Sequence, residues 1–104
     1  MEYVLLAEHS AEVCPTSNAK IREALAKAGP EVPALAKKLG VKILSGPWVS
    51  REHLLILAVE AERGEALDRF IHESTLAQWN KVRVVPVKSL EAGMKETNET
   101  PPLF

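Results

Sequence analysis

Residues 2–9, EYVLLAEH, form an apolar run rich in Tyr, Val and Leu, which predicts a strand closed off by the polar loop 10–17. With Ser17 or Asn18 as N-cap, Ile21, Ala24, Leu25 and Ala28 then recur at helical spacing. Gly29-Pro30 interrupts that pattern, and residues 32–39 resume it, with Pro33 tolerated in a first turn and Gly40 just past the end. The region is one kinked helix or two stacked pieces. Residues 41–49 (VKILSGPWV) and 53–60 (HLLILAVE) read as two strands joined by Ser50-Arg51-Glu52, a hairpin. In the second of these, His53, Leu55, Leu57 and Val59 face one way and Leu54, Ile56 and Ala58 the other, so both faces are apolar. Residues 65–74 place Leu67, Phe70 and Ile71 on one helical face, and 81–87 (KVRVVPV) form a last strand, with Pro86 suited to a sheet edge. Residues 1–88 thus make one domain. Residues 89–104 read as a polar tail, unstructured or docked through Leu103 and Phe104 on a neighbouring subunit.

The order β-α-β-β-α-β predicts an α+β fold of the split βαβ, ferredoxin-like kind, with a four-stranded antiparallel sheet. Right-handed crossovers put the third strand between the first and second, and the fourth beyond the first. One edge of the sheet then collects the loop after His9, the hairpin between Trp48 and His53, and the connection from His72 to Lys81. That edge holds all three histidines, Cys14 and both tryptophans, and the opposite edge holds none of them. Helices cover only one face of such a sheet. The apolar residues on the other predict a second copy packed face to face, a homodimer with room for higher assembly.

Composition narrows the functional classes. The apolar fraction is 46% and the charged fraction 26%, as in a folded globular domain. Thirteen basic residues are dispersed among fourteen acidic ones, so no basic footprint for nucleic acid or an anionic membrane exists. No stretch approaches the roughly 20 apolar residues of a membrane span, and Met1 leads directly into a strand pattern without the apolar core of a signal peptide. A soluble, cytoplasmic protein is expected. The single cysteine cannot form an internal disulfide, in keeping with a reducing compartment. The glycines Gly40, Gly46, Gly64 and Gly93 do not have phosphate-loop spacing, and neither His-Glu-x-x-His nor a CxxC pair occurs.

The stretch LAKKLGVKILSGPWVSREHLLILAVEAERGEALDRFI resembles the dimeric α+β barrel superfamily, especially its small stress-responsive and GYD-type members. Within it LGVKILSGP is similar to the YCII-related branch, and WNKVRVVPV is similar to the last strand of several members. The resemblance spans roughly residues 2–88 and implies a dimeric fold. Because that superfamily includes cofactor-free monooxygenases, muconolactone isomerase, haem-degrading enzymes and small nickel-binding proteins, it leaves activity open.

Chemistry concentrates on His9, Cys14 and His53. Imidazole and thiolate together suit a borderline or soft cation, Cu, Ni or Zn, rather than Mg or Ca. The end of one strand and the start of its antiparallel neighbour lie about 5 Å apart, which brings His53 within reach of His9. Glu12, ahead of Glu8, is the candidate fourth ligand. Alternatively Cys14 is a reactive thiol, deprotonated by His9 or His53 near a helix N-terminus, or simply a packed apolar residue. His72 reads as a solvated residue at a helix C-terminus. Trp48 and Trp79 are candidate walls of a pocket, with Asn80 and Ser50 positioned to orient a small ligand, though both tryptophans equally suit a core or a dimer interface. Three functions follow: transition-metal binding at this edge; a small monooxygenase- or isomerase-type enzyme with His9 or His53 as general base; and a ligand-free stress or interaction protein.

Overall fold

The computed structural model describes residues 1–104. Four strands, β1 (Glu2–Glu8), β2 (Lys42–Ser50), β3 (Leu54–Glu60) and β4 (Lys81–Val87), form one sheet in the order β2-β3-β1-β4. Every neighbouring pair is antiparallel. Helices α1 (Ala19–Ala28) and α2 (Val32–Leu39) precede β2, while α3 (Gly64–Glu73) and the one-turn α4 (Leu76–Trp79) precede β4; α5 (Leu90–Glu99) follows it. This is a mixed α+β fold with the strand order expected from right-handed crossovers. No helix is long and apolar enough to cross a membrane.

Local chemistry explains the helix boundaries. Asn18 is the N-cap of α1, its Oδ1 accepting from the Ile21 amide at 3.1 Å. Gly29-Pro30 breaks the path into α1, a 3-10 turn over Gly29–Glu31, and α2, so the region is two pieces. Gly40 closes α2 in the left-handed conformation, at φ 77°.

Alternation along the strands sorts the sheet's two faces. Leu5 lies opposite Leu57 and Tyr3 opposite Val59, and this set packs under α2 and α3 against Ala36, Leu67 and Phe70. The other face carries Val4, Leu6, Leu54, Ile56, Ala58 and Val85, all half-buried, with Trp48 opposite Ile56 and 51% exposed. No helix covers it. Only 11 of 104 residues are buried, a small core for a chain of this length. The radius of gyration is 16.1 Å, against about 13 Å for a compact 100-residue domain.

Two sequence expectations require correction. Residues 90–99 of the expected tail are helical: Ser89 caps α5 by accepting from the Ala92 amide at 3.1 Å, and Lys88 pairs with Glu96. Good helix formers such as Glu91, Ala92, Met94 and Lys95 outweigh the sparse apolar pattern. His53 is not the first residue of a strand but the last of a turn over residues 51–53, with φ 62°. The connection to β4 also contains α4, a helix too short for periodicity to reveal, with Thr75 at φ 67° ahead of it.

The β2 strand is irregular between Ile43 and Trp48, where its register against β3 shifts twice. Gly46 sits in that stretch at φ 88°, and a Cβ there would lie 2.7 Å from the Ile56 carbonyl oxygen. Gly46→Ala is therefore expected to cost about 2 kcal/mol of backbone strain. Thermal unfolding followed by circular dichroism should show Tm roughly 8–16 °C lower.

Candidate metal centre

The three candidate ligands meet at one end of the sheet, on the helix-covered side. His9 directly follows β1, and its amide donates to the His53 carbonyl at 3.1 Å, extending the β1–β3 ladder by one bond. The left-handed turn brings the His53 ring to 5.5 Å from the His9 ring, edge to face. Cys14 lies after a 3-10 turn over Ala11–Val13, and its carbonyl accepts from the amides of Ser17 (3.0 Å) and Asn18 (2.8 Å). Arg22 of α1 secures the same loop from outside, donating to the carbonyls of Pro15 (2.8 Å) and Thr16 (2.9 Å). One ligand atom from each of His9, Cys14 and His53 lies within 4.8 Å of the others.

Asn80 orients the His9 ring and selects its neutral tautomer. Its Nδ2 donates to the Leu76 carbonyl at 3.1 Å, which turns Oδ1 towards His9 Nδ1 at 2.8 Å. Oδ1 can only accept, so Nδ1 donates to it, and in the neutral ring the lone pair is then on Nε2. That Nε2 is buried and has no hydrogen-bond partner. A buried polar atom without a partner is costly unless something else satisfies it, and an imidazole oriented by a polar side chain through its other nitrogen is the common arrangement of a metal ligand. Asn80, itself 8% exposed, is thus a positioning residue for His9.

The Cys14 thiol is held down to a pKa of about 6 from an ordinary 9.0. The largest cause is the Thr16 hydroxyl, 3.0 Å from Sγ, followed by the Thr16 backbone amide; burial opposes, and His53 and His9 assist. At neutral pH the group is mainly thiolate, the form that ligates metals. Because the folded value lies below the unfolded one, the linked stabilisation is complete above pH 9 and is lost as pH falls through about 6. The ultraviolet thiolate absorbance of the metal-free protein is expected to titrate with a midpoint near 6 and to vanish in Cys14→Ser.

Other candidates fall elsewhere. Glu8 and Glu12 are exposed and outside the ligand group, and His72 is exposed in the last turn of α3. Trp48 stands on the uncovered sheet face, apart from the trio. Ser50 serves the hairpin turn, its Oγ accepting from the Glu52 amide at 3.2 Å. Trp79 does adjoin the site, its ring 5.0 Å from that of His9. It also walls an apolar cavity of about 510 Å³ between the helices and the sheet, lined further by Leu25, Val32, Leu57 and Phe70. Neither His9 nor His53 lines that cavity. Sequence reading missed Thr16 as the group that ionises Cys14, although a hydroxyl two residues after a cysteine is the available signal. The pairing of Asn80 with His9, 71 residues apart, has no local signal at all.

No protein-family model and no curated protein matches this chain.

Proposed function

We propose that the protein binds one transition metal ion, Cu, Ni or Zn, per chain through His9 Nε2, Cys14 Sγ and the His53 imidazole. The observation that carries this reading is the buried, unpartnered Nε2, whose lone pair is fixed by Asn80 and grouped with a thiolate and a second imidazole. Bonds of about 2.0–2.3 Å at tetrahedral angles separate ligand atoms by roughly 3.3–3.8 Å. From separations of up to 4.8 Å, the trio therefore closes on an ion by drawing in by up to about 1.5 Å, within side-chain adjustment. Three protein ligands leave a fourth position for water or a small ligand. To test this, metal-free protein is exposed to equimolar Cu, Ni and Zn, desalted and analysed for elements. One bound ion per chain supports the reading; a desalted protein free of metal refutes it. The cavity beside Trp79 bears on a second reading, a small enzyme of the monooxygenase or isomerase type, but neither of its candidate bases, His9 or His53, lines that cavity.

The same reading includes a homodimer of ferredoxin-like subunits, paired through the uncovered sheet face as in a dimeric α+β barrel. Support comes from the small core and from the make-up of that face. Its apolar centre is rimmed by Glu2, Glu8, Glu60, Lys42, Lys81 and Arg83, both signs together, so a two-fold axis can set acidic groups against basic ones.

A further inference from the structure

We infer that the cavity between α1, α2 and the sheet is a binding site for an uncharged, largely apolar small molecule, and that α1 closes over it as a roof. At about 510 Å³ the space falls within the ordinary range of small-molecule sites. No charged side chain lines it. Leu25, Ala28 and Val32 form the roof, Leu57 and Phe70 the floor and inner wall, and Trp79 the end nearest the metal centre; Ser74 and Thr75 supply its only side-chain hydroxyls. An acid or a phosphate would be desolvated there without a counter-charge, which selects against charged ligands.

The roof is independently unfinished. Helix α1 contains no buried residue, and Leu25, on its apolar stripe, is 38% exposed. A helix with Ile21, Leu25 and Ala28 on one side ordinarily buries that side against a sheet. Here it stands off, bounded by the 3-10 turn Gly29–Glu31 and by its Asn18 cap. An apolar guest beneath it gives the stripe the contacts it lacks. The site is separate from the ligand trio, so the inference stands whether or not metal binds; Trp79 touches both, which places the guest beside the metal's open position if both are filled.

The probe is N-phenyl-1-naphthylamine, neutral and apolar, titrated into Trp48→Phe protein so that Trp79 is the only tryptophan. Saturable binding of one probe per chain is expected, with quenching of Trp79 emission by energy transfer. Ala28→Phe, which fills the space from the roof, should weaken binding by at least about tenfold, as should Val32→Phe should the first variant fold poorly. Cys14→Ser should leave it unchanged, which separates failure of the cavity from failure of the metal centre. Absence of saturable binding overturns the inference, and so does binding that leaves Trp79 unquenched and ignores both filling variants, because that places the probe on the uncovered sheet face.

Discussion

Cys14→Ser is expected to weaken Zn(II) binding by more than about hundredfold, since loss even of an outer partner of a ligand commonly costs about 10–100-fold. The substitution preserves size and removes the thiolate, the one anionic donor of the trio. His53→Asn should do the same. Asparagine tolerates the left-handed backbone that His53 adopts at φ 62°, so the turn survives while the imidazole is lost. Asn80→Ala should reduce affinity less, by about 10–100-fold, because His9 remains but its tautomer and ring orientation are freed. Competition against a chromophoric chelator, with circular dichroism confirming the fold, ranks the three variants. Equal affinity in wild type and Cys14→Ser would remove the thiolate from the site.

Ile56→Glu is expected to convert the proposed homodimer to a monomer at micromolar concentration. Ile56 lies near the centre of the uncovered face, opposite Leu6 on one side and Trp48 on the other. A carboxylate there would be buried without a partner in a face-to-face pair, a penalty of several kcal/mol. Each 1.4 kcal/mol is tenfold, so Kd should rise on the order of a thousandfold. Sedimentation equilibrium reads the change, and the variant should gain solubility as a monomer because the apolar face is broken by charge. A wild-type protein that sediments as a monomer at high concentration would contradict the dimer.

The fold and the site were readable to different depths. Period-two runs, the Gly29-Pro30 break and Gly40 locate strands and helices from nearest-neighbour chemistry, and crossover handedness orders the sheet. That order alone carries His9, Cys14 and His53 to one edge, because β1 ends where β3 begins. What the sequence hides is conformation set by tertiary contact. Strand periodicity puts His53 in β3, whereas its hydrogen bonds with Ser50 and His9 hold it in a left-handed turn. Proximity to one edge groups Trp48 with Trp79, yet strand alternation puts Trp48 on the other face with Lys42 and Ser50, and the β2 register shifts set it opposite Ile56. The sequence marks Asn80 as a ligand-orienting amide, and the residue it orients is His9.

Cobalt substitution tests the central claim most directly, because Co(II) reports both ligand type and geometry in its optical spectrum. Titration of metal-free protein with Co(II) is predicted to saturate at one ion per chain. It should give an intense near-ultraviolet thiolate-to-cobalt charge-transfer band and visible bands of four-coordinate strength, with the charge-transfer band lost in Cys14→Ser. A spectrum no different from aqueous Co(II), with no saturation, would contradict a metal centre at His9, Cys14 and His53.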